Sequence, residues 1–223
     1  MKIIARIRND FKEKFGIPRQ SGILDSFKSR IVFEPEYRVK EALRGIEGYS
    51  HLWLIWEFSE AKRAGFSPTV RPPRLGGNKR MGVFATRSPY RPNPIGLSSV
   101  RLLEILDTAD EGTVLIVSGA DLLDGTPVYD IKPYLSFTDS HPDAVCGFAD
   151  EVKGYLLDVD FPEELLAKVD TGKRESLVRL LADDPRPSYI ADGDRIYTFS
   201  FADYEISFNV ENNLLTVTDV AVR

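Results

Sequence analysis

Apolar and polar residues alternate along several short segments in the first two thirds of the chain, a pattern typical of β-strands that bury one face. The segment SHLWLIWEF, residues 50–58, is the strongest case, because aromatic and branched side chains suit a buried strand. Residues 36–44 instead have helical spacing and stop at Gly45, which predicts a helix with a glycine C-cap. The strands predicted in this part of the chain are residues 2–8, 30–33, 50–58, 96–106, 113–118 and 127–134.

The last third of the chain follows a different pattern. Residues 161–182 are amphipathic. The pattern is interrupted near Gly172, so it is compatible with one helix or with two. The segment DDPRPSY then ends the helical pattern, because proline restricts the residue before it. Three strands of a meander are predicted next, at residues 195–201, 204–210 and 214–220.

Many short strands with Gly and Pro turns, and few helices, predict a mainly β chain with some α structure. A barrel or a sandwich fits this pattern, whereas a doubly wound sheet does not. The segment TDSHPDA, residues 138–144, consists of turn residues and is predicted to be a linker. Two domains are therefore predicted, one at residues 1–140 and a small helix-plus-meander domain at residues 150–223.

The composition is that of a globular protein. The 223 residues carry a net charge of −5, and apolar residues never run for the roughly 18 positions that a membrane-spanning helix needs. A soluble, cytoplasmic protein is therefore predicted. A single cysteine excludes an internal disulfide, and two distant histidines offer little for a transition metal, so no metal is expected.

The charge is distributed unevenly along the chain. Residues 61–103 hold nine of the 29 basic residues and no acidic residue, while all 34 acidic residues lie elsewhere. Six prolines and five glycines interrupt this basic stretch, which predicts a shaped loop system that presents arginines and backbone amides. A solvated loop is the simpler alternative. Because the whole chain is acidic, any contact with nucleic acid is expected to be local.

Missing motifs exclude several common sites. No GxGxxG follows a strand and no GxxxxGK[ST] occurs, which argues against a Rossmann nucleotide site and a P-loop. Cys146, beside Val145 and Gly147, is interpreted as a buried or incidental thiol. His51 begins the apolar strand and is interpreted as a core or strand-end histidine bonded to backbone.

Three segments combine polar side chains with Pro or Gly turns and are the candidate sites. They are FGIPRQSG (residues 15–22), RPPRLGGNKRMGVFATRSPYRPNPIG (71–96) and DLLDGTPVYDIKPYL (121–135). Rigid loops of this kind hold anionic groups and sugar hydroxyls. For the third segment, an Asp-Gly turn between two strands is the simpler alternative.

Together with GYSHLWLIWEF and DDPRPSY, these segments resemble the TsaA/TrmO family of tRNA methyltransferases in sequence, order and spacing. The resemblance covers almost the whole chain. It implies an S-adenosylmethionine-dependent enzyme that methylates N6 of threonylcarbamoyladenosine, next to the anticodon of tRNA. It also implies a β-barrel methyltransferase fold in the N-terminal domain, distinct from the Rossmann type, and a homodimer with the cofactor near the subunit interface.

The resemblance also implies roles for individual residues. The cofactor would be bound by Pro18, Arg19, Gln20, Ser59, Glu60, Arg87, Leu97, Asp121, Leu122, Asp124 and Gly125. From the basic stretch, the residues assigned to tRNA phosphates or to the threonyl carboxylate are Arg71, Arg74, Lys79, Arg80 and Arg91.

Methyl transfer from a sulfonium is an in-line displacement, so the enzyme must chiefly align the reacting atoms. The attacking nitrogen carries a carbonyl substituent and is a poor nucleophile while protonated, so a base or a strong acceptor would help. Asp130, Asp124 and Tyr134 are the candidates for that role, and Asn93 is a candidate to hold the substituted base.

Two alternatives remain open from the sequence. One is a non-catalytic sensor that binds S-adenosylmethionine, and the other is a cofactor-free RNA-binding module that uses the basic stretch alone. Substitution of Arg87 separates them, because it should weaken cofactor binding in an enzyme or a sensor and have no such effect in an RNA-binding module.

Overall fold

The structure is a computed structural model that describes residues 1–18, 20–22, 27–61, 65–72, 75, 79–151, 153–186 and 195–223. Its first strands are β1 (Ala5–Arg8), β2 (Lys28–Phe33), β3 (His51–Glu57), β4 (Thr69–Val70), β5 (Met81–Gly82), β6 (Ile95–Thr108), β7 (Gly112–Ser118) and β8 (Pro127–Pro133). The short β4 and β5 pair with each other. The other six close into an antiparallel barrel in the order β1-β2-β7-β6-β3-β8.

Strand β3 illustrates how the sequence builds this barrel. Its residues alternate strictly, with Leu52, Leu54 and Trp56 buried in the core and the residues between them partly exposed. A shift of one residue would exchange the two faces, so burial fixes the pairing of β3 with β6 and β8. The buried core consists of Ala5, Ile7, Ile31, Phe33, Leu52, Leu54, Trp56, Val100, Leu115, Val117, Ala120, Leu122 and Val128.

Trp56 fits this core because the residue opposite it has no side chain. Trp56 pairs with Gly96 across β3 and β6, and a Cβ atom at position 96 would lie 2.3 Å from the indole ring. A glycine in a strand interior is typical of such a close approach. The indole N–H donates a hydrogen bond of 2.9 Å to Ser98 Oγ, so the polar atom of the buried ring is satisfied.

The last third of the chain forms a second sheet with helices on it. Its strands are β9 (Asp158–Asp160), β10 (Tyr197–Phe201), β11 (Tyr204–Glu211) and β12 (Leu214–Val222), in the order β10-β11-β12-β9. The helices are α1 (Ser136–Asp139), α2 (Phe148–Glu151), α3 (Glu163–Leu166) and α4 (Thr171–Ala182). Helix α4 buries Leu177, Leu180 and Leu181 in a second hydrophobic cluster. The hairpin turns contain Ala202 and Asn212, both with positive φ.

A segment near the N-terminus, residues 9–22 without residue 19, connects the two parts and is called the strap below. It follows β1 of the barrel. Its Phe11, Phe15 and Ile17 nevertheless pack in the second cluster, with β10 and β11 residues such as Phe199 and Phe208. The second cluster is therefore completed by residues from the start of the chain.

The mainly β character with few helices, predicted from the sequence, is confirmed. The predicted strands are found with ends shifted by a few residues. The amphipathic region resolves into α3 and α4, and the break is set by Asp170, whose carboxylate caps α4 by accepting from Gly172 N at 2.8 Å. Gly172 thus lies within the first turn of α4 and not at the break. Part of the predicted linker forms α1.

The predicted helix at residues 36–44 is wrong. Two 3-10 turns, Pro35–Tyr37 and Lys40–Leu43, occupy this range, and Gly45 (φ +89°) leads into a third turn. Val39 separates the first two with extended dihedral angles and is 52% exposed, although the helical pattern required it on the apolar face. Tyr37 and Leu43 pack against the barrel core, so tertiary contacts override a helical segment too short to be stable alone.

None of the helices in the described ranges has both the length and the apolar character needed to cross a lipid bilayer.

We expect Gly96→Ala to lower the free energy of unfolding by about 1–3 kcal/mol, because the new methyl group overlaps the buried Trp56 ring. Gly82→Ala is the control, since Gly82 has φ −56° and open space around its Cβ position. Urea denaturation measures both variants. Equal stability of the two variants would contradict the close packing of Trp56 on Gly96.

Candidate functional site

A cleft of about 1100 Å³ runs along the outer face of β3 and β6 and past the end of β7. It is lined by the strap, by both strands, by the loop at residues 86–91 and by the segment that follows β7. Pockets for small molecules usually have about 300–1000 Å³, so this cleft has room for a large ligand or for two ligands side by side. Its two ends differ in chemistry.

At one end, the carboxylate of Asp121 is mostly buried. It accepts a hydrogen bond of 2.5 Å from Ser98 Oγ, the same hydroxyl that accepts from the Trp56 indole. The backbone N–H of Ser21 in the strap also donates to it, and Arg87 is close enough to attract it. Burial nevertheless raises the pKa of Asp121 above its usual value, and these partners offset the shift only in part. Such a carboxylate is suited to bind a cationic or hydroxyl-bearing ligand.

The strap is bonded to both sides of the cleft at this end. Arg87 donates to Gln20 Oε1 at 2.6 Å, which links the loop at residues 86–91 to the strap. Lys14 donates to the backbone oxygen of Glu60 at 2.8 Å and forms an ion pair of 3.3 Å with its carboxylate. The guanidinium of Arg87 remains exposed, so its other donors can still reach a ligand.

Ser118, at the end of β7, contributes a buried hydroxyl to the cleft wall. Its Oγ has no hydrogen-bond partner among the described residues. A buried polar atom without a partner is costly, and in a cleft wall it is a natural contact for a polar ligand.

The other end of the cleft is aromatic. The rings of Trp53 and Tyr134 lie 5.4 Å apart, and the ring of His51 lies 6.1 Å from that of Tyr134. The Trp53 indole donates to Asp139 Oδ2 at 2.7 Å, and the backbone N–H of Leu135 donates to the same oxygen at 3.0 Å. The bond from Leu135, followed by that from Trp53, lowers the pKa of Asp139. Asp139 is thus an ionised group that orients the indole.

Most residues assigned to the cofactor from the sequence lie together in this cleft. Those that line it are Pro18, Gln20, Ser59, Glu60, Arg87, Leu97 and Asp121. Arg19 lies outside the described residues.

Three further assigned residues lie elsewhere. Leu122 is fully buried in the barrel core. Asp124 forms an ion pair of 2.9 Å with Lys12, and the carbonyl oxygen of Gly125 accepts from Arg6 at 3.2 Å. These contacts hold the loop after β7 against the strap and β1. The three residues therefore stabilise the wall of the cleft without lining it.

The four catalytic candidates are separated by the structure. Tyr134 lines the cleft, whereas Asp124 and Asn93 are not in its lining. Asp130 lies at a smaller cavity of about 600 Å³ near the N-terminus, where it forms an ion pair of 2.9 Å with Lys132. Of these four residues, only Tyr134 is placed to touch a ligand in the cleft.

The basic residues assigned to tRNA also differ in environment. Arg71, Lys79 and Arg80 are exposed around β4 and β5, while Arg74 lies outside the described residues. Arg91 donates to the backbone oxygen of Thr86 at 2.7 Å, and so helps to hold the loop at residues 86–91 in shape.

Several residues of the site were not found from the sequence. Ser98 and Ser118 occupy buried positions of apolar strands, and this irregularity in the alternation was a usable signal. No such signal marks Asp139 in the sequence, because its segment has the composition of a linker. His51 is at a strand end as predicted, but its partner is the Ser50 side chain, at 2.9 Å, and not backbone. Cys146 is exposed, which excludes the buried alternative.

Family models match nearly the whole chain. The N-terminal domain of tRNA-methyltransferase O matches residues 6–140, and the TrmO C-terminal domain matches residues 155–223. The chain belongs to the TrmO family. The family predicted from the sequence is therefore confirmed.

Individual TrmO relatives agree with this membership. The tRNA (adenine(37)-N6)-methyltransferase of Escherichia coli K12 is 44% identical over 192 residues, 83% of this chain and 81% of the relative. A putative S-adenosylmethionine-dependent methyltransferase, RcsF, from Pseudomonas aeruginosa PAO1 is 40% identical over 227 residues, covering 98% of this chain and 96% of the relative. The crystal structure of TrmO from P. aeruginosa matches with a TM-score of 0.77 and 34% identity, over 99% of this chain and 95% of that one.

Within the described part of this TrmO chain, no group of three or more His, Cys, Asp or Glu side chains is arranged to hold a metal ion.

We expect Asp121→Asn to raise the free energy of unfolding at pH 7 in the absence of ligand. Because the pKa of Asp121 is higher in the folded chain than the usual 3.8, its ionised form costs stability above the folded pKa. The cost is lost as the pH falls towards 3.8, so the advantage of the variant should disappear there. Denaturant unfolding at a series of pH values measures this.

Asp107→Asn provides the control with the opposite sign. The hydrogen bond from Lys40, followed by that from Thr113, lowers the pKa of Asp107, so its ionised form stabilises the fold at neutral pH. This variant should be no more stable than the wild type at pH 7. A loss of stability in Asp121→Asn at pH 7 would contradict the burial cost.

Proposed function

We propose that the protein is an S-adenosylmethionine-dependent tRNA methyltransferase that acts on N6 of adenine 37 in its threonylcarbamoyl form. Family membership and the names of relatives such as the E. coli tRNA (adenine(37)-N6)-methyltransferase support this activity. The observation that carries the proposal is the cleft itself. One end of it presents Asp121 and Arg87, the other end is aromatic, and both belong to one continuous volume. Two reactants can therefore meet in it.

The first end fits the cofactor. S-adenosylmethionine has a carboxylate, an amino group and ribose hydroxyls, and it supplies a methyl group on a positively charged sulfur. Arg87 offers an exposed guanidinium, Asp121 a mostly buried carboxylate, and Ser118 a buried hydroxyl without a partner among the described residues. We assign cofactor binding to Gln20, Arg87 and Asp121, with Ser59, Glu60 and Leu97 at the rim.

The aromatic end suits the modified base. Trp53 and Tyr134 present neighbouring rings on which a purine can stack, and bases bind such surfaces readily. Arg101, exposed in the same lining and paired with His51 across β3 and β6, is available for the carboxylate of the threonyl group. Tyr134 is the proposed hydrogen-bond partner of the attacking nitrogen. The low pKa of Asp139 makes that carboxylate a weak base.

Contacts with the rest of the tRNA are proposed for Arg71, Lys79 and Arg80. These exposed side chains lie on the β4–β5 region, and phosphate contacts of this kind position an RNA without reading its sequence. Because tRNA is the proposed substrate, the proposal also places the protein in the cytoplasm.

A homodimer is also part of the proposal. Strand β6 exposes the apolar side chains of Leu97, Leu103 and Ile105, and exposed apolar side chains favour coverage by a partner. The division into domains at residues 1–140 and 150–223 stays a prediction. The two hydrophobic clusters support it, while the strap joins the first segment of the chain to the second cluster.

Purified protein is expected to transfer labelled methyl groups from S-adenosylmethionine to tRNA that contains threonylcarbamoyladenosine, and not to tRNA that lacks this modification. Nuclease digestion followed by mass spectrometry locates the product. Tight cofactor binding without transfer would favour the sensor, and no effect of the cofactor on thermal stability would favour the RNA-binding module.

Arg87→Ala should weaken cofactor binding roughly 10- to 100-fold, the effect of losing a hydrogen bond to a charged group worth about 1.5–3 kcal/mol. Isothermal titration calorimetry with S-adenosylmethionine measures it. Arg44→Ala is the control, since Arg44 is exposed and pairs with Glu41 away from the cleft. Unchanged affinity in Arg87→Ala would remove this residue from the cofactor site.

Lys79→Ala combined with Arg80→Ala should raise the KM for tRNA and leave the dissociation constant for S-adenosylmethionine unchanged. Each lost phosphate contact should also reduce the dependence of log K on log salt by about one unit. Filter binding at several salt concentrations measures this, with Lys2→Ala as a control for an exposed lysine outside the basic stretch. An unchanged salt dependence would contradict the proposed contacts.

A further inference from the structure

One side of the strap is bonded to the barrel. The backbone N–H of Asn9 donates to Asp124 Oδ1 at 3.0 Å, and its side-chain amide donates to the Leu122 oxygen at 2.8 Å. At the other end of the strap, Gly22 N donates to the Gly119 oxygen at 2.9 Å. These bonds fix both ends of the strap on the loop that follows β7.

The other side of the strap is bonded to the second sheet. Within the described ranges, strand β10 is at the edge of that sheet, so no other strand there pairs with one row of its backbone groups. The strap covers this edge, since Ala202 N donates to the Asp10 oxygen at 3.2 Å and Ser200 N donates to the Glu13 carboxylate at 2.8 Å. An ion pair between Asp10 and Lys173 of α4 adds to the attachment.

The middle of the strap is fitted closely to this sheet. Phe15 packs against Phe199 and Phe208, with ring centroids 5.7 Å and 6.5 Å away. Gly16 follows with φ +91°, and a Cβ atom there would lie 2.4 Å from the ring of Phe199. Phe199 is buried, so its ring has little freedom to move aside. Position 16 therefore requires glycine for its backbone conformation and for its packing.

The next residues of the strap reach the cleft. Gln20 accepts from Arg87 at 2.6 Å, and Ser21 N–H donates to Asp121. Gln20 is four residues from Gly16, which is at most about 14 Å of extended chain. A displacement of the strap at Gly16 is therefore expected to change the positions of Gln20 and Ser21.

We propose that the meander β10–β12 is a structural part of the cofactor site, because it holds the strap in the conformation that places Gln20 and Ser21 against Arg87 and Asp121. Glu13, Gly16 and Phe199 are positioning residues for S-adenosylmethionine. The inference rests on the proposed function only in naming this ligand. The physical reason is preorganisation, since a strap that adopts the binding conformation for a fraction of the time lowers the apparent affinity by that fraction.

The test compares two glycine variants of the full-length protein. Gly16→Ala should weaken binding of S-adenosylmethionine about tenfold, corresponding to a strap that is correctly placed about a tenth of the time. Gly45→Ala is the matched control, because Gly45 has φ +89° but nothing within 4 Å of its Cβ position, and it is not in the cleft lining. It carries the same backbone strain and should bind with wild-type affinity. Calorimetry gives the affinities, and thermal unfolding gives the stability of each variant.

A second pair of variants applies if Gly16→Ala does not fold. Glu13→Ala removes the acceptor of Ser200 N–H, whereas Glu13→Gln keeps an oxygen at that position. Glu13→Ala should weaken cofactor binding several-fold, about threefold or more, and Glu13→Gln should restore it. In the transfer assay, Gly16→Ala and Glu13→Ala should each raise the KM for S-adenosylmethionine and leave the KM for tRNA unchanged. A rise in the KM for tRNA alone would overturn the inference in favour of a tRNA-binding role for the meander.

Wild-type affinity in folded Gly16→Ala and Glu13→Ala would also overturn the inference, and so would an equal loss in Gly16→Ala and Gly45→Ala. These outcomes differ from failure of the proposed function, in which the wild-type protein itself does not bind S-adenosylmethionine.

Discussion

The contact between the Trp56 indole and Gly96 is the constraint on which both the core and the cleft depend. It places Trp56, one of the two tryptophans of β3, in the barrel interior, and it brings the indole N–H to Ser98, which in turn donates to Asp121. A residue of the hydrophobic core is thereby two hydrogen bonds from the buried carboxylate of the site. Because the core is tightly packed, the register of β3 and β6 fixes the position of Ser98, and Ser98 in turn holds the carboxylate that the loop after β7 presents.

The strands could be predicted because burial of one face leaves a period of two in the sequence, as in β3. The 3-10 turns around Val39 could not, because their conformation depends on which side chains meet the barrel surface, and a helical spacing of apolar residues carries no information about that. The same limit applies to the strap. Nothing in the sequence near Phe15 indicates that its partners are Phe199 and Phe208, close to the other end of the chain.

The site could be predicted in part, through the family resemblance of short motifs. Residues such as Arg87 and Asp121 lie in recognisable segments and meet in the cleft. The contacts that position these side chains could not be predicted in the same way. The bond from Trp53 to Asp139 joins a strand to a segment with the composition of a linker, and Leu122 lies beside Asp121 in sequence yet points into the core. Adjacent residues on an irregular loop face different environments, so a motif identifies the segment better than each side chain.

The attachment of the strap to β10 also has a consequence for the synthesis of the protein. The strap leaves the ribosome well before β10, β11 and β12. Contacts between distant parts of a chain form late, so the barrel can close before the strap has its final neighbours. During that interval both the edge of β10 and the aromatic side chains of the strap are uncovered. With the proposed role of the meander, the cleft is complete only after the meander has been synthesised, and a chain that stops short of it would carry a barrel without a finished site.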